Sequence, residues 1–483
     1  MNKQIKDILV QLYQKHFKKE VLNIDELPSS GSYRQYFRIH SNDTTCIGAY
    51  NSDVKENKAF IGFTRHFSSL NIPVPEIIAV SDDEKYYLLN DLGDTTLFSF
   101  LQSHRKTHGF SEDLLNLYKK VLDYMPAFQI EGAKGLDFSL CYPRAVFDKQ
   151  SMMWDLNYFK YYFLKLARIS FDEQLLENDF EEFTKFLLQS DTNYFLYRDF
   201  QSRNIMLHDN NIVFIDYQGG RKGALQYDLA SLLYDAKADI PEAIRKDLLE
   251  YYISNLQRHI SFNKTEFSSH YYGFVLIRIM QALGAYGFRG YYENKTHFLQ
   301  SIPYALQNLQ HLLDHNLLPD NIPYLKNMLE KLKDSEKLQQ ISDVKPKLKL
   351  TISSFSYKKG IPADVSGNGG GFVFDCRALP NPGRLEEYKK LCGKDPEVVQ
   401  YLEAYPEVNT FIRNTFQLIE QSVNAYIERG FTHLMVSFGC TGGQHRSVYS
   451  AEKAFAMLKD KQGLDITITH IEEPNYEAAR RAI

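Results

Sequence analysis

The feature that most narrows what this chain can fold into is Tyr197-Arg198-Asp199-Phe200-Gln201-Ser202-Arg203-Asn204, followed by Ile215-Asp216-Tyr217. Between these pieces, Ile205-Met206-Leu207 and Ile212-Val213-Phe214-Ile215 flank the polar turn Asp209-Asn210-Asn211, which reads as a hairpin. An Asp, an Asn five residues later and a second Asp behind an apolar strand would then sit at the ends of short strands. Phosphoryl transfer needs such groups: a carboxylate to receive the acceptor's proton, and an amide plus a carboxylate to hold Mg²⁺ against nucleotide phosphates. A surface hairpin with capping Asp and Asn residues is the plainer alternative.

With 483 residues the chain exceeds one hydrophobic core, and two to four domains are expected. A net charge of −4 argues against a general nucleic-acid binder. The five cysteines, 46, 141, 376, 392 and 440, lack the paired spacing of a zinc site or a disulfide framework, which suits a reducing compartment. The N-terminus has helical spacing (Ile5, Ile8, Leu9, Leu12, Phe17) and no signal-peptide core, and no apolar run is long enough to span a membrane. A cytoplasmic protein is expected.

Residues 20–95 read as a small β-rich lobe. Ser29-Ser30-Gly31-Ser32 makes a turn, residues 33–39 and 44–50 are strands, 55–70 a helix, and 77–80 with 86–90 a further strand pair. Asp91-Leu92-Gly93-Asp94 then looks like a hinge into a helical lobe running to about 335. A Lys- and Gln-rich stretch over 336–349 reads as a linker. Strands at 348–357, 371–375 and 433–438 alternate with helices, which implies an α/β layer structure.

Gly439-Cys440-Thr441-Gly442-Gly443-Gln444-His445-Arg446-Ser447 lies between an apolar strand and a helix expected over 447–459. Glycines there free backbone N–H groups for an anion, with the helix dipole and an Arg assisting. The alternatives are a tight turn with an inert Cys440, or the loop of a cysteine-dependent phosphatase. The phosphatase would also need an acid, for which Asp375 and Asp395 are distant candidates.

The first 335 residues resemble the aminoglycoside phosphotransferase family, small-molecule kinases of protein-kinase-like fold. The resemblance is carried by Gly31-Ser32-Tyr33-Arg34-Gln35-Tyr36-Phe37-Arg38, Leu89-Asn90-Asp91-Leu92-Gly93-Asp94-Thr95-Thr96, 197–204, Asp216-Tyr217-Gln218 and Tyr227-Asp228-Leu229-Ala230. It is nearest to bacterial kinases that phosphorylate N-acetylmuramate and N-acetylglucosamine at the anomeric hydroxyl in cell-wall recycling. It implies Asp199 as catalytic base, Asn204 and Asp216 as Mg²⁺ ligands, and ATP contacts at Gly31, Ser32, Arg34, Asn90 and Leu92. It further implies Asp228 as a brace for the catalytic loop. The chain departs from the family at Tyr197, where His is usual, and in having no lysine on the strand 44–50, so Arg34 or Arg38 would supply charge to the phosphates. An acidic residue after Gln218 is also missing. Arg221 and Lys222 follow instead, and cations near the acceptor would favour an anionic sugar; a solvated loop is the alternative.

Residues 350–475 resemble the C-terminal domain of the RNase adapter RapZ through Tyr357-Lys358-Lys359-Gly360-Ile361-Pro362, Phe374-Asp375-Cys376-Arg377-Ala378-Leu379-Pro380-Asn381-Pro382 and 439–448. That implies an α/β domain holding glucosamine-6-phosphate at Lys359, Asp375, Arg377, Asn381, Cys440, Thr441, Gly442, Gly443, His445 and Arg446. The tail His470-Ile471-Glu472-Glu473-Pro474 is acidic where a basic RNA-binding tail would stand, so nucleic acid is not an expected partner. The expectation is thus an α+β, two-lobed, protein-kinase-like domain (small lobe 1–92, helical lobe 93–335), a linker (336–349) and an α/β domain (350–483). The first would phosphorylate an amino sugar, and the second would bind an amino-sugar phosphate and adjust that activity. A non-catalytic adapter is the rival reading, and the oligomeric state stays open.

Overall fold

The computed structural model describes residues 2–28, 34–209, 211–293, 295–339, 347–364, 370–429 and 431–476. The turn 29–33, with the ATP contacts expected at Gly31 and Ser32, lies outside them, as do Asn210 and positions 340–346 of the expected linker. The chain divides into two compact units, residues 1–341 and 342–483.

The first unit opens with α1 (Asn2–Phe17), β1 (Asn23–Glu26), β2 (Gln35–His40), β3 (Thr45–Tyr50), α2 (Val54–Ser69), β4 (Ile77–Val80) and β5 (Tyr86–Asn90). Its strands form an antiparallel sheet in the order β1-β2-β3-β5-β4. Side chains alternate across a strand, so β5 (Tyr86-Tyr87-Leu88-Leu89) must be apolar on both sides to lie between two layers. Leu88 and Tyr86 pack with Phe37, Ile39 and the α1 residues Ile5, Leu9 and Tyr13. Tyr87 and Leu89 join the main core with Phe60, Phe63 and Phe67 of α2. Asp53 caps α2, accepting from the amides of Lys55 and Glu56.

The second lobe contains α3 (Leu97–His108), α4 (Glu112–Pro126), α5 (Lys149–Tyr158), α6 (Glu173–Leu187), β6 (Tyr194–Leu196), β7 (Ile205–His208), β8 (Asn211–Phe214) and β9 (Arg221–Gly223). It continues through α7 (Leu225–Leu233), α8 (Glu242–Leu256), α9 (Lys264–Gly287), α10 (Ile302–Asp314), α11 (Pro323–Lys333) and α12 (Glu336–Gln339). Strands β7 and β8 form the expected hairpin, and β6 pairs with β9. Helix α9 is buried around most of its circumference, which places it at the centre of the lobe. Gly287 makes that possible: a Cβ there would lie 2.0 Å from the carbonyl oxygen of Tyr162.

The second unit comprises β10 (Leu348–Ser356), β11 (Gly371–Asp375), α13 (Pro396–Glu403), α14 (Pro406–Arg429), β12 (His433–Cys440), α15 (Arg446–Leu458) and β13 (Leu464–His470). All four strands are parallel, in the order β11-β12-β10-β13. The sequence reading missed β13. It is an edge strand whose Asp465, Thr467 and Thr469 face solvent while Ile466 and Ile468 are half-buried, so its apolar signal is weak. The following segment is accordingly no free tail. His470 bonds Ser354 Oγ at 2.8 Å through Nδ1 and Glu452 at 2.9 Å through Nε2, and the amide of Ile471 donates to Ser354 O. Among the described residues, no helix is long and apolar enough to cross a membrane.

Candidate functional site

Strand β6 leads directly into the loop 197–204, and Asp228 at the first turn of α7 fixes that loop from beneath. Its carboxylate accepts the amide hydrogens of Tyr197 at 2.8 Å and Arg198 at 3.0 Å. Complete burial pushes the Asp228 carboxyl up to about 7, outweighing those two donors. Tyr197 is buried and its hydroxyl donates to Ile215 O at 2.6 Å, tying the loop to the segment that carries Asp216. That is a packing role for the residue standing in place of His.

The three polar groups read from the sequence converge. Asn204 Nδ2 donates to the Asp199 carbonyl at 2.8 Å and to the Asp216 carboxylate at 3.2 Å. Gln218 Nε2 donates to the other Asp216 oxygen at 2.6 Å, while its Oε1 is buried without a hydrogen-bond partner. Arg198 and Asp216 both adopt positive φ, 85° and 71°, a strained conformation for such side chains that the surrounding bonds hold in place. Burial and the neighbouring Asp199 carboxylate push the Asp216 pKa up. A cation between these groups would reverse that, and Gln218 Oε1 supplies a spare oxygen, so the donor set fits a hard, oxygen-binding ion such as Mg²⁺.

Asp199, Asn204, Asp216 and Gln218 line a cleft of about 720 Å³, with Glu56 on one side and residues of α7 and α9 on the other. Arg198 grips Asp155 through two bonds of 2.6 and 2.7 Å. Arg221 also lines the cleft, whereas Lys222 is absent from its lining and sits 4.9 Å over the Phe138 ring. Arg34 is 2% exposed, 3.0 Å from Glu56, and its charge opposes the upward shift of Asp216. Arg38, the other cation expected near phosphate, is instead clamped by Asp91 at 2.7 Å and Asp94 at 2.9 Å, where it braces the hinge. Asn90 Oδ1 accepts the amide of Glu76, and Leu92 is buried; neither is among the residues lining the cleft. Sequence reasoning missed Glu56 and Arg278. The visible signal for Arg278 is one cation inside the apolar run Phe274-Val275-Leu276-Ile277-Arg278-Ile279-Met280.

In the second unit, the β12–α15 loop gathers the other candidates. Cys440 Sγ accepts the amide hydrogen of Gly443 at 3.2 Å and lies 3.1 Å from Ser447 Oγ. Arg446 is buried; its Nη1 donates to the carbonyls of Arg377 and Leu379, Nη2 contacts Thr441 Oγ1 at 3.4 Å, and Nε has no hydrogen-bond partner. Asp375 pairs with Arg377 at 2.6 Å, which holds its carboxyl below the ordinary range. Asn381 Oδ1 accepts from Gly383, whose position abuts His445; His445 Nε2 lies 2.8 Å from Tyr388 O. Open space surrounds Gly442. Lys359 pairs at 2.7 Å with Glu472, a buried residue whose side-chain methylenes abut Gly443. The sequence reading had put Glu472 in an acidic tail, outside the site.

Residues 24–261 match the phosphotransferase enzyme family, and residues 348–473 match the RapZ C-terminal domain. The chain therefore joins a domain of the phosphotransferase enzyme family, within the first unit, to an α/β RapZ C-terminal domain. Among curated relatives, a nucleotide-binding protein of Nitrosomonas europaea is 34% identical over 179 residues, 37% of this chain and 57% of that protein. A nucleotide-binding protein of Dinoroseobacter shibae is 41% identical over 126 residues, 26% of this chain and 40% of that one. The chain thus spans less than two thirds of the length of these relatives. Among solved structures, a choline kinase of Cryptosporidium parvum is 17% identical with a TM-score of 0.45, the match covering 66% of this chain and 99% of that one. A ternary complex of aminoglycoside phosphotransferase APH(4)-Ia with ADP and hygromycin B is 15% identical with a TM-score of 0.37, the match covering 68% and 98%.

Proposed function

We propose that the first unit transfers the γ-phosphoryl group of ATP to an amino sugar, N-acetylmuramate or N-acetylglucosamine, at the anomeric hydroxyl, in cytoplasmic cell-wall recycling. The observation that carries the reading is the Asn204 amide bridging Asp199 and Asp216. Asp199 takes the acceptor's proton as the new O–P bond forms, and ADP departs with the electrons of the broken bond. Asn204 Oδ1, Asp216 and Gln218 Oε1 would hold Mg²⁺, which supplies charge neutralisation at the phosphate oxygens. Asp228 keeps the loop in register, and Arg198 is locked by Asp155. The retained Asp199 favours an enzyme over an adapter, since a scaffold has no use for a free carboxylate at this position.

The second unit is read as a site for an amino-sugar phosphate, such as glucosamine-6-phosphate, that adjusts the kinase. Buried Arg446 and the open space at Gly442 support an anion there. A cysteine phosphatase is disfavoured. Asp375 is held ionised by Arg377, and Asp395 accepts the amide of Cys392 at 2.6 Å, so neither is poised to protonate a leaving group. The test is incubation with ATP, Mg²⁺ and N-acetylmuramate, N-acetylglucosamine, glucosamine or an aminoglycoside, with products read by phosphorus NMR. An anomeric sugar phosphate supports the reading; no transfer to any acceptor with ATP bound returns the adapter. Glucosamine-6-phosphate should change the rate of the intact protein and leave Arg446→Gln unresponsive; equal responses refute the regulatory role.

A further inference from the structure

Of the five arginines lining the cleft, Arg198, Arg221 and Arg278 interact electrostatically with Asp199, the last two being 7% and 5% exposed. Of these three, only Arg198 is paired with a carboxylate among the described residues, Asp155. Arg221 gives both Nε and Nη2 to one carbonyl, that of Gly219, at 3.1 and 2.9 Å. Arg278 donates from Nη1 to the hydroxyl of Tyr227 and to Gln281 Oε1, and its Nε is buried with no hydrogen-bond partner. A buried cation without a counter-charge is costly, and an orphaned buried donor adds to that cost. The negative groups within reach have other duties: Asp199 must stay free to take a proton, and Asp228 holds the loop amides. Burial and the charge of Arg198 bring the Arg221 pKa down, while at Arg278 burial is outweighed by Tyr227 and the nearby Asp199 carboxylate, which raise its pKa.

We infer that the acceptor sugar carries an anionic group, and that Arg278 and Arg221 receive it while its hydroxyl faces Asp199. This rests on the kinase reading and names the substrate class for that cleft. The shared chemistry is a carboxylate or a phosphate attached to the sugar. Either would take guanidinium N–H donors of Arg278, which suit planar or tetrahedral oxyanions.

The test is calorimetry on the full chain with two charge pairs: N-acetylmuramate against its neutral methyl ester, and N-acetylglucosamine-6-phosphate against N-acetylglucosamine. One anionic member should bind at least about tenfold tighter than its neutral counterpart. Which pair shows it distinguishes a carboxylate from a phosphate. In Arg278→Gln the ratio should fall below about threefold, with partial recovery in Arg278→Lys, which keeps the charge and loses the fork. Both pairs are measured in the Arg446→Gln background as well, so that phosphate bound at the 440–446 loop does not contribute to the ratio. Equal or tighter binding of both neutral sugars by the wild type, or a ratio unchanged in both variants, overturns the inference. Transfer to sugars without charge preference would sink this inference and leave the kinase reading standing. Arg278-dependent anion binding with no transfer to any sugar would do the reverse.

Discussion

The cleft of the first unit and the β12–α15 loop of the second both offer cations to an anion, but they balance their charges in opposite ways. In the cleft, Asp199 and Asp216 are close enough to raise the Asp216 pKa, and Arg221 and Arg278 have no carboxylate partner among their hydrogen bonds. In the loop, Lys359 is paired with Glu472 and Arg377 with Asp375, leaving Arg446 as the buried guanidinium held by neutral groups. Unbalanced buried charge is a preorganised electrostatic environment, useful where charge develops during reaction. Prepaired surface charge suits reversible binding, because a ligand exchanges with internal partners at modest net gain. The difference fits the proposed reading, with chemistry in one unit and recognition in the other.

The largest expected effect comes from removing the group reserved for the proton. Asp199→Asn should lower kcat by about 10²- to 10⁴-fold, with ATP binding retained. Turnover at the wild-type rate would show that the cleft's charge imbalance has no catalytic meaning and would collapse the contrast.

Asp228 tests whether the cleft's burial is energetically real. Its carboxyl, raised to about 7, binds a proton more tightly folded than unfolded. This contribution therefore favours folding at low pH, and up to about 4 kcal/mol is lost as pH rises from about 4 through about 7. Asp228→Asn should remove this slope. Trp154 is the single tryptophan and lies in the first unit, so its fluorescence during urea unfolding at pH 5 and pH 8 reports that unit. A slope identical in the two proteins would show that the carboxyl titrates elsewhere.

In the second unit the corresponding cation is Arg446. Replacing it with Gln should weaken glucosamine-6-phosphate binding by about 10- to 100-fold, the range for hydrogen bonds to a charged group. Unchanged affinity would move the anion away from the loop.

How far these regions could be read from sequence also differs. Local pattern sufficed for the hairpin β7–β8 and for β5, whose apolar residues on both faces announce a strand between two layers. The convergence of Asn204 on Asp199 and Asp216 was within reach of the same local reading, because the group that joins them is built within twenty residues. Charge partners were not legible. Arg38 finds Asp91 and Asp94 more than fifty positions away, and Lys359 finds Glu472 across 113. Nothing in periodicity states which carboxylate a cation meets after folding. Edge strand β13 escaped for a related reason: alternating Thr and Asp read as loop until a sheet edge is there to pair with.

Glu472 gives the smallest effect and the sharpest probe of prepairing. Its carboxylate holds Lys359, whose side chain is 60% exposed, and receives the side-chain amide of Asn475 at 2.6 Å. Its second oxygen is buried without a hydrogen-bond partner. A phosphate entering the loop would meet this negative charge beside Gly443 as well as the positive charge of Lys359. Glu472→Gln keeps the shape, removes the negative charge and releases the lysine. If the pair competes with the ligand, sugar-phosphate affinity should rise a few-fold, about 0.5–1 kcal/mol for a partly exposed ion pair. The gain should shrink as salt is added, because screening weakens the same attraction in both proteins. A loss of affinity would mean that Glu472 receives a donor of the ligand, such as the amine of an amino sugar. The loop would then read both charges of a zwitterion, and the contrast with the cleft would become one of ligand type instead of chemistry against binding.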